Sequence, residues 1–170
     1  LFILSNIPSS AITAIDFQST STTPLTLNGD SGNNTLIGGA GNDTFNGGNG
    51  SDTIMGWAGD DVVNVSGKSG SYTDTIQGGA GNNVLNISYT GVSSLSDLTL
   101  QLTGTTLVMT DANGGSISAD GFIDPDTQDN VGISVGGISY TFIDPYSDCN
   151  CFGRSGMHDG SVGLTYGAAV

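Results

Sequence analysis

The most constraining feature of this chain is a nine-residue pattern that repeats between Gly38 and Asn64. Three copies follow one another without a gap: GGAGNDTFN, GGNGSDTIM and GWAGDDVVN. In each copy glycines recur at fixed offsets, an Asp follows two residues after the last glycine, and an apolar residue follows two residues after the Asp. Copies this short cannot each enclose a core, so the pattern predicts that they stack as the coils of a solenoid.

The apolar residue of each repeat marks how far the pattern extends. These residues lie nine apart at Leu36, Phe45, Ile54 and Val63. The next marker, Ile76, comes thirteen residues later, and Leu85 follows it by nine. We therefore interpret four extra residues around 66–72 as a loop inserted at one turn. With imperfect first and last copies, GDSGNNTLI and GGAGNNVLN, six repeats run from Gly29 to Asn86.

The spacing of the acidic residues predicts bound cations. A short strand such as Thr44–Asn46 would turn one apolar side chain inward, and the glycine-rich turn after it would reverse the chain. Two repeats then make one coil, which places Asp43 over Asp61 and Asp52 over Asp74. Carboxylates stacked at a strand spacing repel each other unless a cation lies between them. Ligation by oxygen alone, from carboxylates and glycine carbonyl groups, suits calcium better than zinc or copper.

The composition agrees with this interpretation. The 170 residues include 28 Gly and 16 acidic residues, all of them Asp, against one Lys (Lys68) and one Arg (Arg154), giving a net charge of −14. A chain that uses Asp and no Glu places its carboxylates in tight turns. Its charge repels nucleic acid and anionic lipid, so we expect neither a nucleic-acid partner nor membrane insertion. Without cations, we expect the repeat region to remain unfolded.

The three central repeats resemble the GGxGxDxUx nonapeptides of the RTX family (repeats-in-toxin, or haemolysin-type calcium-binding repeats). The stretch from Leu98 to Phe142, which includes LVMTDANGGSISADGF, resembles the β-rich segment that often follows such repeats. The fold that this implies is all-β, a parallel β-roll with an N-terminal cap and a C-terminal antiparallel β segment. The predicted divisions are an N-terminal cap over 1–28, the β-roll over 29–87, a β-rich capping segment over 88–143, and a Gly/Ser-rich tail over 144–170.

Alternation in the capping segment predicts its strands. Leu98 to Leu102 and Thr106 to Thr110 form one hairpin with a tight turn at Gly104. Further strands are expected at 116–119, 132–135 and 138–142. Nothing in the sequence predicts a helix.

In the RTX family each ion lies between one turn and the turn one coil later, held mostly by backbone oxygens. Carried over to this sequence, the resemblance implies about three to four calcium ions. Site 1 joins Gly39, Gly41 and Asp43 to Gly56, Ala58 and Asp60. Site 2 joins Asp30, Gly32 and Asn34 to Gly47, Asn49 and Ser51. Site 3 joins Trp57, Gly59 and Asp61 to Gly78, Ala80 and Asn82. Site 4 joins Gly48, Gly50 and Asp52 to residues near Ser69, Ser71 and Thr73, with Asp74 as a further candidate.

Some positions depart from the family pattern. Asn34 and Asn83 stand where the family has Asp, Trp57 stands where it has Gly, and the insertion falls on site 4. The alternative to calcium is a solenoid held by hydrogen bonds alone, with its carboxylates in solvent.

Two weaker groups of residues also have metal-ligating chemistry. The first is Asp120, Asp124, Asp126 and Asp129, which could chelate one more ion or form a solvated loop around Pro125. The second is Cys149, Cys151 and His158, with Asp148 or Asp159, which could bind zinc. The cysteines are separated by one residue rather than the two to four usual in zinc sites, which favours free thiols or disulfides between chains. His158 is the single histidine and no nucleophile motif lies near it, so we expect no enzymatic activity.

These features support two functions. The first is an extracellular structural protein, a rod made rigid by calcium that associates with copies of itself in a surface layer, sheath or filament, with a cell-surface glycan as a possible partner. Apolar segments at both ends and open sheet edges favour it. The alternative is the C-terminal folding and secretion module of an RTX hydrolase or toxin, which the apolar last residues favour because they resemble type I secretion tails. Either function places the chain outside the cell, where calcium is high. Whether the chain is complete or a fragment is left open.

Overall fold

The computed structural model describes residues 22–89, 92–123, 131–135, 138–143 and 163–166, and of 141–143 and 163–166 it describes the backbone alone. These residues form strands and a single 3-10 turn at Leu95–Asp97. The strands are β1 Thr26–Asn28, β2 Thr35–Gly39, β3 Thr44–Asn46, β4 Thr53–Trp57, β5 Val62–Ser66, β6 Thr73–Gln77, β7 Val84–Tyr89, β8 Leu98–Thr103, β9 Thr106–Asp111, β10 Ser116–Asp120, β11 Val131–Val135, β12 Ile138–Ile143 and β13 Gly163–Tyr166. No helix among the described residues is long and apolar enough to cross a membrane.

Successive strands of the repeat region alternate between two sheets. The first sheet has the order β1-β3-β5-β7-β11-β12-β13 and the second the order β2-β4-β6-β10-β9-β8. Strands β1 to β7 pair in parallel within their sheets, and Phe45 lies beside Val63, eighteen residues later. Two repeats therefore make one coil. The predicted fold class, an all-β parallel β-roll, is confirmed.

The four extra residues lengthen two strands, contrary to the predicted inserted loop. Strand β5 has five residues where β3 has three, and β6 begins two residues before the position that pairs with the start of β4. The turn between β5 and β6, residues 67–72, keeps the length of the turn at 47–52. Because two residues are added to each strand, the alternation of inward and outward side chains is preserved. This coil is wider than the one before it.

Apolar side chains stack between the sheets in two columns. Phe45, Val63 and Leu85 are in register in the first sheet and are fully buried. In the second sheet Ile54 pairs with Ile76, and both are 1 % exposed. All five belong to one hydrophobic core. These are the apolar markers of the repeats, and burial of each contributes roughly 1.5–3 kcal/mol to stability.

The C-terminal segment continues the roll. Hairpin β8–β9 turns at Gly104, whose φ is 62°, and every strand predicted in this segment is present. However, β10 pairs in parallel with β6, and β11 pairs in parallel with β7. Antiparallel pairing begins only with β9 and β12. The segment thus extends both sheets, while the predicted domain boundaries stay a prediction and most of the N-terminal cap lies outside the described residues.

The stacked core generates a stability prediction. Phe45→Ala would leave a cavity in a fully buried column, so we expect a loss of about 3–5 kcal/mol in the free energy of unfolding. The measurement is urea denaturation in saturating calcium, followed by circular dichroism. Ile138→Ala is the control, because Ile138 is 42 % exposed and its truncation should change stability by about 0.5 kcal/mol or less. Equal losses in the two variants would contradict the assigned core.

Candidate calcium sites

The turns between strands form two edges of the roll. Edge A contains the turns from the second sheet to the first, at 40–43, 58–61 and 78–83. Edge B contains the turns from the first sheet to the second, at 29–34, 47–52 and 67–72. Sites 1 and 3 of the sequence analysis fall at edge A, and sites 2 and 4 fall at edge B.

On both edges each buried carboxylate accepts a hydrogen bond from a backbone N–H of the preceding coil. The Oδ1 atom of Asp61 accepts the backbone N–H of Asp43 at 2.8 Å, and Oδ1 of Asn83 accepts the N–H of Asp61 at 3.0 Å. On edge B, Oδ1 of Asp74 accepts the N–H of Asp52 at 2.9 Å. The predicted stacking of Asp43 over Asp61 and of Asp52 over Asp74 is therefore observed. The repeat places its Asp before each strand because this side chain ties successive coils together.

The second carboxylate oxygens on edge A accept no hydrogen bond from any residue that the structure describes. The Oδ2 atoms of Asp43 and Asp61 are buried and unpaired. Each lies near a backbone carbonyl of the next coil: Oδ2 of Asp61 and the oxygen of Gly78 both come within 3.0 Å of the point where a β-carbon on Gly56 would lie. Oδ2 of Asp43 and the oxygen of Gly56 converge in the same way on Gly38. Two oxygens that face each other without a proton between them fit a hard cation such as calcium.

Burial also makes the negative charge on this edge costly. Asp61 is fully buried, and its desolvation raises the pKa of its carboxyl to about 6, with the neighbouring charges of Asp43 and Asp60 acting in the same direction. A bound cation would oppose both effects, because it replaces the lost hydration and offsets the repulsion.

Backbone contacts join the turns that form sites 1 and 3. The N–H of Ala58 donates to the oxygen of Gly39 at 3.0 Å, and the N–H of Ala80 donates to the oxygen of Trp57 at 2.8 Å. Trp57 has a φ of 78°, the one positive φ at a non-glycine among the described residues, because it occupies a glycine position of the repeat. Asp60, in contrast, is exposed, and its Oδ1 accepts the N–H of Asn82. Its carboxylate binds the next coil from the solvent side.

Asn83 ends the carboxylate column on edge A. Its side-chain Nδ2 donates to the oxygens of Gly79 at 3.3 Å and Gly121 at 3.2 Å. An amide N–H₂ therefore faces a carbonyl at the position where Asp43 and Asp61 present an oxygen. Both ends of the amide are satisfied by the protein itself, so this position has no need of a cation.

Site 2 on edge B has a different environment. Asp30 is exposed, and its carboxylate accepts the N–H of Gly32 at 2.7 Å and the side-chain amide of Asn34 at 3.3 Å. These two bonds, that of Gly32 first, lower the pKa of Asp30. The oxygen of Asp30 accepts the N–H of Asn49, so the two predicted turns are in contact. No buried oxygen in them lacks a partner.

Site 4 contains a residue that the sequence analysis did not assign to it. The Nζ atom of Lys68 lies 2.8 Å from the oxygen of Gly50, 2.7 Å from Oδ2 of Asp52 and 2.9 Å from Oδ2 of Asp74. Burial raises the pKa of Asp74, and the contact with Lys68 partly offsets that shift. The available signal was the position of the one lysine, inside the insertion at this turn.

The remaining candidates lie mostly outside the described residues. This holds for Asp124, Asp126 and Asp129, and for Cys149, Cys151 and His158. Asp120 is described, and its carboxylate accepts the hydroxyl of Thr105 at 2.7 Å. Within the described residues no three His, Cys, Asp or Glu side chains cluster around a common point. A metal ion on edge A would therefore depend on backbone carbonyl oxygens beside one or two carboxylates.

Comparison with known proteins identifies the repeat region. A family model described as the RTX calcium-binding nonapeptide repeat matches residues 28–63 and 69–86. No curated protein matches the chain. Among solved structures, the extracellular lipase LipA from Serratia marcescens is 22 % identical with a TM-score of 0.37, over 73 % of this chain and 18 % of the lipase chain. The chain thus spans about a fifth of the lipase that it matches. Its repeat region belongs to the RTX calcium-binding nonapeptide repeats and forms their parallel β-roll.

Proposed function

We propose that this chain is an extracellular structural module whose folding is controlled by calcium. The two unpaired Oδ2 atoms of Asp43 and Asp61 carry this proposal. Each is buried beside a carbonyl oxygen, and without a cation this arrangement opposes folding because an unpaired buried polar group is costly. Calcium at edge A removes the penalty. Inside a cell calcium is scarce and the roll stays unfolded, whereas outside it calcium binds and the coils close.

Removal of calcium tests this function directly. We expect excess chelator at neutral pH to abolish most of the β-sheet circular dichroism, because the unpaired Oδ2 atoms of Asp43 and Asp61 then oppose folding again. Re-addition of calcium should restore the signal, whereas magnesium at the same concentration should restore much less, since magnesium demands a stricter geometry and gives up its water reluctantly. The emission of Trp57, the single tryptophan, reports the same transition from the end of β4, next to an edge A turn. A spectrum that chelation leaves unchanged would refute the proposal.

Substitution of the edge A carboxylates tests the assigned ligands. Asp43→Ala and Asp61→Ala should each raise the calcium midpoint for folding by about tenfold or more, equivalent to about 1.4 kcal/mol, because each removes a buried ligand charge. Asp97→Ala is the control, because Asp97 lies in the 3-10 turn and at neither edge. If Asp97→Ala and Asp61→Ala shift the calcium midpoint alike, the assignment is wrong.

Asp61→Asn sharpens this test. By analogy with Asn83, the new amide would donate to the oxygen of Gly78 and satisfy it without metal. We therefore expect Asp61→Asn to bind less calcium than the wild type and yet to retain more sheet in chelator. Asp61→Ala lacks the amide and should lose the sheet in chelator as the wild type does.

Self-association is the second part of the proposed function. Its support is the absence of charge on the outward faces of the described strands, with Asp120 at the end of β10 as the exception. The first sheet instead presents a ladder of asparagines, in which Asn46 bonds Asn28 at 2.7 Å and Asn64 bonds Asn46 at 3.0 Å. Because the other acidic residues in the described part of the chain lie in turns or inside, two such faces could pack together despite the net charge of −14.

Two finer roles share the calcium-dependent fold. Packing in a surface layer, sheath or filament is the role we propose, with a cell-surface glycan as a further partner. In support of the glycan, the outer face of the first sheet has a groove lined by amides, hydroxyls and Tyr140. The alternative is the folding and secretion module of an RTX hydrolase or toxin, which the same calcium-binding repeats support.

Oligomeric state separates these roles. We expect sedimentation velocity to show monomers in chelator and large assemblies in millimolar calcium, with sheets or filaments visible by electron microscopy. Raising the ionic strength should favour the assemblies, because it screens the repulsion between acidic turns. A protein that folds in calcium and remains monomeric at all concentrations would favour the secretion module.

A further inference from the structure

The ammonium group of Lys68 occupies an enclosed position on edge B. Lys68 is 4 % exposed, and its three N–H donors have three neighbouring acceptors: the oxygen of Gly50 and one carboxylate each from Asp52 and Asp74. The ring of Tyr72 lies over it, with its centroid 5.3 Å from Nζ. Tyr72 is itself 4 % exposed and donates to Asp111 at 3.1 Å.

The acceptors around Lys68 are of the same kinds as those on edge A. There, Oδ2 of Asp61 faces a backbone carbonyl of the next coil and has no donor. On edge B, Oδ2 of Asp52 and the oxygen of Gly50, both predicted ligands of site 4, are bridged by the lysine nitrogen. Edge A thus presents a carboxylate, that of Asp61, without a positive partner among the described residues, whereas the carboxylate of Asp52 on edge B has one.

We propose that the ammonium group of Lys68 replaces a calcium ion between Asp52 and Asp74, so that site 4 is neutralised by a cation of the chain itself. The two ions on edge A lie beside Asp43 and Asp61, and Asn83 ends the series. The earlier assignment of a calcium ion to site 4 gives way to a cation that belongs to the chain.

The widened coil explains how a lysine fits this position. The two residues added at the end of β5 and the two added at the start of β6 move the turn 67–72 outward from the turn before it. A long side chain from that turn can then reach back toward Asp52. Because the charge is covalently attached, it is present at every calcium concentration, unlike an ion that must be bound from solution.

Removing the lysine tests the proposal. Lys68→Met keeps an unbranched, largely apolar stem as far as the ε position and deletes the charge, which leaves Asp52 and Asp74 buried without a positive partner. We expect this variant to bind one more calcium ion per chain than the wild type, counted by equilibrium dialysis with elemental analysis in saturating calcium. Its calcium midpoint for folding should rise about tenfold or more. Arg154→Met removes the same unit of charge and is the matched control, with an unchanged count.

The count decides between the outcomes. A folded Lys68→Met protein that binds no additional calcium would overturn the proposal. If this variant does not fold at any calcium concentration, anomalous scattering from crystals of the wild type grown in calcium decides: peaks beside Asp43 and Asp61 with none between Asp52 and Asp74 support it, and a peak between Asp52 and Asp74 overturns it.

The inference rests on the proposed calcium-dependent fold, and the two can fail separately. A wild type that binds no calcium would overturn the proposed function, whereas the Lys68 proposal depends on the difference in count between variant and wild type.

The triple variant Lys68→Met, Asp52→Asn, Asp74→Asn removes every charge at this position and should bind no more calcium than the wild type. An extra ion in the triple variant would show that the gain in Lys68→Met has another source, and would overturn the proposal.

Discussion

The structure depends on the stacking of buried carboxylates along the edges of a parallel β-roll. Each carboxylate has two oxygens with different tasks. One accepts a backbone N–H from the preceding coil and so fixes the spacing of the coils, as between Asp61 and Asp43. On edge A the other oxygen lies beside a carbonyl oxygen of the following coil. The same residue that joins two coils therefore prevents the next pair from closing until a positive group or a proton donor lies between them.

The chain meets this requirement with different chemistry at different levels. At Asp43 and Asp61 the second oxygen has no hydrogen-bond partner among the described residues, and these are the levels at which we propose an external ion. At Asp52 the partner is the ammonium group of Lys68. At position 83 an asparagine amide stands in place of the carboxylate, and its Nδ2 donates a hydrogen bond to the carbonyl oxygen of Gly121. Changes of one or a few residues thus convert a coil that depends on metal into one that does not.

Much of the fold was predictable because the repeat constrains it in two independent ways. The apolar markers determine which side chains face inward, and the eighteen-residue spacing determines which coils touch, so Phe45 could be placed beside Val63 from the sequence. The insertion was misinterpreted because four residues can be taken up by a loop or divided evenly between two strands, and counting does not distinguish them. Lys68 was missed for the same reason: as part of a loop it would lie in solvent, and only the widened coil turns it inward.

The parallel pairing of β10 and β11 with the roll also could not be predicted from the sequence. Alternation identifies a strand but not its neighbour, and the hairpin turns at Gly104 and Gly114 indicated only local antiparallel partners. The resemblance to RTX repeats supplied predicted positions of ions, yet it did not indicate the hydrogen bonds that the amide of Asn83 and the amine of Lys68 make at two of these levels.

The column of buried carboxylates on edge A ends at Asn83, and this position affects the order in which the strands assemble. Beyond Asn83, strands β8, β9 and β10 pair as successive hairpins and β11 pairs with β12, so these contacts join residues close in sequence and their closure entropy is small. The C-terminal end can therefore organise first and offer β10 and β11 as a template. We expect coils then to add one by one toward the N-terminus as the charge of each is neutralised, so that winding would proceed against the direction of synthesis.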